Sequence, residues 1–247
     1  MIYNEVKEIC EGYEYEKGID VLISVPGGEE IAKKTFNPKL GIEGGISILG
    51  TSGIIEPMSE VALVDSIKVE MKQLAHNGLE YLVVTPGNYG SRFIEENINI
   101  DIENSLKCSN YVGETIDYAV ELGLKGILFI SHIGKFIKVA GGVMNTHSKW
   151  ADTRMEIIAA NAAVAGVGNQ VLTKIMGCTT TDEAIDLLIK DNNLDNTMKL
   201  IGEKIDYYLK NRCFNELEIG AIVFSNRHGI LVKTKDVEKI LNKVIID

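Results

Sequence analysis

Residues 125–156 read KGILFISHIGKFIKVAGGVMNTHSKWADTRME, and the fold turns on how this stretch divides. The apolar run after Gly126 is short, β-branched at its ends and bounded by polar residues, which describes a strand buried on both faces. Beyond it the chain becomes polar, placing His132, Lys135, Lys138, His147, Lys149, Asp152, Arg154 and Glu156 around the pair Gly141-Gly142. The Ala-rich run IIAANAAVAG then reads as a helix. A core strand that delivers a polar, glycine-broken segment into a helix is how α/β folds build sites beyond the carboxyl ends of their strands. The glycine pair implies a close backbone approach. The competing account is a solvated loop ahead of an exposed helix start.

Working outward, the same pattern recurs. Upstream, DVLISVPGGEEIAKKTF predicts a strand near 20–25, a Pro26-Gly27-Gly28 turn and a helix from Glu29. A strand near 45–50 runs into Gly50-Thr51-Ser52-Gly53, and Pro57 opens a helix carrying Leu63, Ile67, Met71 and Leu74 at helical spacing. EYLVVTPGN predicts a strand near 80–85 with the turn Pro86-Gly87-Asn88, and KCSNYVGETIDYAVELG a strand near 107–111 followed by a helix. Residues 2–11 form a helix by pattern, so residues 1–18 are a linking helix and connection and 19–247 one α/β domain. Downstream of Arg154 come helices over 155–165, 169–176, 181–190 (with Thr180 and Glu183 as a capping box), 195–210 and 235–244. IGAIVFS and ILVKT around Asn226-Arg227-His228-Gly229 predict a β-hairpin. The fold class is therefore α/β: a Rossmann-like, doubly wound, mostly parallel sheet with helices on both faces and a C-terminal β-hairpin plus helices. The handedness of βαβ crossovers puts the turns PGG, GTSG, PGN and SHIGK on one sheet edge, around one crevice.

Composition limits the partners. The 247 residues are 45% hydrophobic and carry a net charge of −10, which disfavours nucleic acid and anionic membranes. Four scattered cysteines with no CxxC pair indicate reduced thiols in a cytoplasm. No apolar run is long enough to span a bilayer. An anionic ligand must then be held by a local cationic cluster, which residues 135–154 supply. The glycine turns can present N–H groups to an anion or ribose, and Glu56 can accept from sugar hydroxyls or favour a helix N-terminus. His132 and His147 are acid–base candidates, because imidazole titrates near neutrality. With Asp152 they would make a metal set, but the spacing matches no compact ligand motif, so no metal is assigned. No nucleophile elbow and no Walker lysine loop is present. The residues alone reach an α/β enzyme or binding protein with an anion-rich ligand.

Resemblance carries further. The blocks VPGGEEIAKKTFNPKLGIEGGISILGTSGIIEPMSE, VVTPGNYG and SHIGKFIKVAGGVMNTHSKWADTRME resemble the CbiD family of cobalt-precorrin-5B C-1-methyltransferases, from about residue 15 to the C-terminus. The resemblance implies methyl transfer from S-adenosyl-L-methionine to a ring carbon of a cobalt-containing, polyanionic corrinoid precursor in anaerobic cobalamin biosynthesis. On that footing Gly27, Gly28, Gly50, Thr51, Ser52, Gly53, Glu56, Pro86, Gly87 and Asn88 are expected to hold the cofactor. Lys135, Lys138, Gly141, Gly142, Thr146, Ser148, Lys149, Asp152 and Arg154 are expected at the corrinoid, and His132 or His147 to accept a proton. The acidic-Gly-x-Gly signature of the commonest methyltransferases is lacking. The Thr-Gly-x-Cys-Ala-like segment that opens the family's N-terminal domain is also lacking, so that domain is expected to be absent and the chain inactive or nearly so alone. A separate chain supplying that domain, or a homo-oligomer, is then the expected protein partner. The alternative is a non-catalytic corrinoid- or nucleotide-binding module of the same fold.

Overall fold

The computed structural model describes residues 2–33, 35, 42–46, 60–98, 100 and 105–244. The chain divides into two compact units, Met1–Ser66 and Ile67–Asp247. In the first, α1 spans Ile2–Gly12 and α2 spans Gly28–Ala32. The strand expected near 20–25 does not form. Ile19, Val21, Leu22 and Ile23 lie in exposed, irregular backbone, because an apolar run becomes a strand only where a ladder partner stands beside it, and the described residues of this unit contain no strand. The glycine turn does form: Gly27 adopts φ +72° and the Gly28 N–H donates to the Val25 carbonyl at 3.0 Å. The strand expected near 45–50 is absent from 42–46, and its remainder lies outside the described residues.

The second unit holds the sheet. After α3 (Glu60–His76) the chain forms β1 (Tyr81–Thr85), α4 (Asn88–Asn97), β2 (Ser105–Lys107), α5 (Val112–Glu121) and β3 (Gly126–His132). A helical excursion follows: α6 (Ile133–Phe136), a 3-10 turn over Ile137–Gly141, α7 (Arg154–Val164), α8 (Asn169–Met176), α9 (Thr181–Lys190) and α10 (Leu194–Arg212). The chain returns as β4 (Glu218–Ser225) and β5 (Gly229–Lys233), and ends the described region in α11 (Val237–Val244). The strand order is β2-β1-β3-β4-β5, with the first four parallel and β5 antiparallel to β4. The expected hairpin is thus the sheet's antiparallel edge, and the Thr180–Glu183 capping box is complete at the start of α9.

Strand alternation assigns the two faces. Val83, Leu128, Ile130, Ile222 and Phe224 point one way, against Phe93 and Ile94 of α4 and Val237, Ile240 and Leu241 of α11. The intervening residues point the other way, where Phe129 meets Phe136 with ring centroids 5.4 Å apart and Gly202 of α10 abuts Val232. Each fully buried Phe, Leu or Ile contributes about 1.5–3 kcal/mol of transfer free energy, so covering both faces supplies the unit's main drive to fold. The connection after β1 leads outward to β2, whereas the one after β3 leads the opposite way to β4. Between β1 and β3 the chain therefore reverses its direction of travel across the sheet. Open α/β sheets leave a crevice at such a point, outside the carboxyl ends of the strands.

Candidate functional site

The crevice is present. A cleft of about 350 Å³ lies between the β1–α4 turn (Pro86, Gly87, Tyr89, Gly90) and the end of β3 with the start of α6 (Ile130, Ser131, His132, Gly134, Lys135). Its two walls are pressed together by glycine. A Cβ on Gly90 would come within 2.5 Å of the Ile130 carbonyl oxygen and 2.9 Å of Thr85 Cβ, so only glycine lets α4 lie this close to the strands. Gly87, at φ +130°, turns the chain from β1 into α4, whose N-terminus has no side-chain cap. That conformation is open to glycine and strained for any other residue.

Lys135 ties the rim together. Its ammonium donates to the Pro86 carbonyl at 2.8 Å and the Ser109 carbonyl at 3.4 Å, joining the ends of β1, β2 and β3. Burial holds its pKa below the ordinary lysine value; the neighbouring Cys108 opposes that shift and Lys138 adds to it. Cys108 is wholly buried, and burial pushes its thiol up to about 12. His132 caps α6: the Gly134 N–H donates to its Nδ1 at 3.1 Å. A neutral ring so engaged carries its proton on Nε2. Burial lowers the His132 pKa, against the pull of the Asp182 carboxylate. Its ring stands 5.8 Å from Tyr89 and edge-on to Phe224 at 5.7 Å, between centroids. As the chain is folded, His132 is a hydrogen-bond donor; accepting a proton would require giving up the Gly134 bond.

The remaining expected residues sit elsewhere or are committed within the chain. Lys138 is buried and donates to the Thr146 carbonyl at 3.0 Å, while the Thr146 N–H donates to the Asn110 carbonyl at 2.9 Å. These bonds pin the segment after the 3-10 turn to the end of β2. Gly142, at φ +79°, lies where a Cβ would come within 2.9 Å of Tyr208, and one on Gly141 would come within 2.8 Å of Ile157. The close approach that this pair requires is thus met by the chain's own side chains. Arg154 makes a two-pronged bond to Asp152, at 2.6 and 2.8 Å, which lowers the aspartate's pKa and raises its own. His147 accepts from the Lys149 N–H at Nδ1 (3.0 Å), and the Lys149 ammonium lies 5.3 Å from the Trp150 ring centroid. Ser148 is exposed in the same segment. Among the described residues no three His, Cys, Asp or Glu side chains converge as a metal site.

Of the four turns expected around one crevice, PGN and SHIGK meet. Gly27 and Gly28 lie in the first unit, bordering a hollow beside Glu29 and Glu30. Gly50, Thr51, Ser52, Gly53 and Glu56 lie outside the described residues, and of Asn88 only the backbone is described. Sequence reasoning missed Tyr89, Ser131, Cys108 and Asp182. Tyr89 adjoins the quoted turn PGN and Ser131 opens the quoted turn SHIGK, so both could have been included. Asp182, in the first turn of α9, accepts from the Ser225 hydroxyl at the end of β4 at 2.7 Å, a juxtaposition that no local pattern foretells.

Residues 145–235 match the family described as CbiD, C-terminal domain, and residues 1–57 match the family described as CbiD. Two CbiD family models thus match this chain. The match over 1–57 corrects the expectation that the N-terminal domain is absent. A cobalt-precorrin-5B C(1)-methyltransferase of Ruminiclostridium cellulolyticum is 49% identical over 227 residues, covering 92% of this chain and 59% of the relative. Proteins of the same name from Alkaliphilus metalliredigens and Clostridioides difficile are 44% and 39% identical, covering 98% and 99% of this chain and 63% and 62% of theirs. The chain spans about three fifths of the length of these curated relatives. No solved structure matches it. Among the described residues, no helix is long and apolar enough to cross a membrane.

Proposed function

We propose that the chain serves S-adenosylmethionine-dependent methyl transfer to C-1 of cobalt-precorrin-5B, in the cytoplasm, on a Rossmann-like, doubly wound unit. The observation that carries this reading is the 49% identity, over 92% of the chain, to a protein named for that reaction. The cleft at the reversal point supports it by giving the donor a place. Its volume of about 350 Å³ falls within the range of about 300–1,000 Å³ common to small-molecule sites. Gly87 keeps that wall free of a side chain, and Tyr89 offers an aromatic face. When bound, S-adenosylmethionine supplies an electrophilic methyl group. The protein's part is then largely orientation: Lys135 fixes the Pro86–Gly87 turn against β3, and His132 presents Nε2–H as a donor. The polar segment from Thr146 to Arg154, with Lys149 at its exposed part, forms the corrinoid's approach.

Calorimetric titration of the purified chain with S-adenosylhomocysteine, followed by a methyl-transfer assay with cobalt-precorrin-5B, tests this function. Saturable binding together with methylated product is expected. Absence of both, in a chain shown to be folded, would overturn it.

A further inference from the structure

Among the described residues, nothing around Lys135 balances its positive charge. Among the described residues its ammonium is paired with no carboxylate; its partners are two backbone carbonyls, which use two of its three N–H donors. Lys138, the other charged neighbour felt at Lys135, is also cationic. The thiol of Cys108 stays neutral at physiological pH, so it does not compensate. At the end of β3, where His132 caps the same short helix, its Nε2 has no hydrogen-bond partner among the described residues. Both side chains border the same cleft. Donors at the edge of a cleft are positioned to exchange water for the oxygens of a bound anion. The other cations of the segment are engaged elsewhere: Lys138 by the Thr146 carbonyl, Arg154 by Asp152, and Lys149 over the Trp150 ring.

We infer that Lys135 and His132 together form a carboxylate-binding fork at the β1/β3 cleft, with the Lys135 ammonium and the His132 Nε2–H as its two prongs. The fork is the anion contact of the cleft. Resting on the function proposed above, the carboxylate has two sources: the amino-acid end of the methyl donor, or an acetate or propionate arm of the corrinoid. An ammonium in contact with a carboxylate is charge-assisted, so removing it weakens binding by roughly ten- to a hundredfold.

The full chain, ¹⁵N-labelled, is titrated with succinate and followed by NMR, beside Lys135→Met, Lys135→Arg and His132→Asn variants checked for native circular dichroism. Succinate is expected to shift amide signals around Gly87 and Gly134 in the wild type, with roughly tenfold or greater loss of affinity in Lys135→Met and partial recovery in Lys135→Arg. Two further pairs locate the source. S-adenosylhomocysteine is set against 5′-methylthioadenosine, which lacks the carboxylate, and cobyrinic acid against its heptamethyl ester. The pair in which Lys135→Met weakens only the carboxylate-bearing member identifies the ligand. A Lys135-dependent succinate response without binding of either pair would keep the fork and remove the methyltransferase reading. If Lys135→Met binds succinate and both carboxylate ligands within twofold of wild type, or wild type shows no response at the cleft to any of them, the fork does not exist.

Discussion

Gly90→Ala separates the packing of the cleft from the intrinsic preference of its helix. In a helix, alanine is favoured over glycine by up to about 1 kcal/mol, so a surface reading of α4 predicts stabilisation. The surroundings predict the reverse. The new Cβ would lie 2.5 Å from the Ile130 carbonyl oxygen and 2.9 Å from Thr85 Cβ, where about 3.5 Å is comfortable. Both obstacles belong to buried strands, so α4 must back away by about 0.5–1 Å, and overpacking of this kind costs about 1–3 kcal/mol. One turn on, Phe93 stacks on Phe224 at 3.9 Å and Ile94 is fully buried, so the displacement loosens that contact too. Net destabilisation of about 1–2 kcal/mol is expected in urea unfolding followed by circular dichroism. Because the moving helix carries the Gly87 turn, affinity for S-adenosylhomocysteine should fall under conditions where the variant is still fully folded. Gly177→Ala is the control: its φ is −87° and its Cβ would meet nothing closer than 3.5 Å, so a gain of about 0.4–1 kcal/mol is expected. A Gly90→Ala protein as stable as wild type, beside a Gly177→Ala protein that behaves as expected, would refute the packing account of the cleft.

Three further outcomes follow from the same geometry. The His132 pKa is depressed by burial, so the stability linked to its neutral form is complete above the unfolded value of 6.5 and is lost as pH falls through the folded value; His132→Gln should flatten that acid limb of the unfolding profile, and superimposable profiles would contradict the assignment. Lys138→Met should cost about 1–3 kcal/mol, because it leaves the Thr146 carbonyl without its donor, yet succinate binding at the cleft should stay within twofold; a binding loss as large as that of Lys135→Met would put Lys138 back in the ligand site. In the native chain at pH 8, alkylation read by mass spectrometry should label Cys10 and Cys178 and spare Cys108, whose thiol is pushed up to about 12, and rapid labelling of Cys108 would mean that the β2 end opens readily.

Much of the second unit was legible in the residues. Periodicity located β1, β3, β4 and β5 and each helix from Arg154 onward, because those segments bury one face or two and their apolar spacing records it; the strand expected near 107–111 instead forms at Ser105–Lys107, and 108–110 turn into α5. Thr180 and Glu183 announced their cap three residues apart, and Asn226 to Gly229 announced the hairpin turn. The blocks from Val25 to Glu60 and from Ser131 to Glu156 were enough to indicate the relatives. Residues 20–25 show the limit: they are as apolar as a strand, yet remain irregular, because a ladder is a property of two segments and sequence displays only one. The same limit applies to the site. Gly141 and Gly142 look like a ligand's approach and are instead filled by Ile157 and Tyr208, which arrive from α7 and α10. Four cations in one segment look equivalent, but Lys138 and Arg154 are spent on Thr146 and Asp152 and Lys149 lies over Trp150, and only tertiary structure leaves Lys135 facing a cleft with no carboxylate partner among the described residues. Sequence by itself determined which residues could be strands, caps and charges; the order β2-β1-β3-β4-β5 decided where the chain reverses, and therefore which of those charges meet, since burial and pairing depend on neighbours distant along the chain.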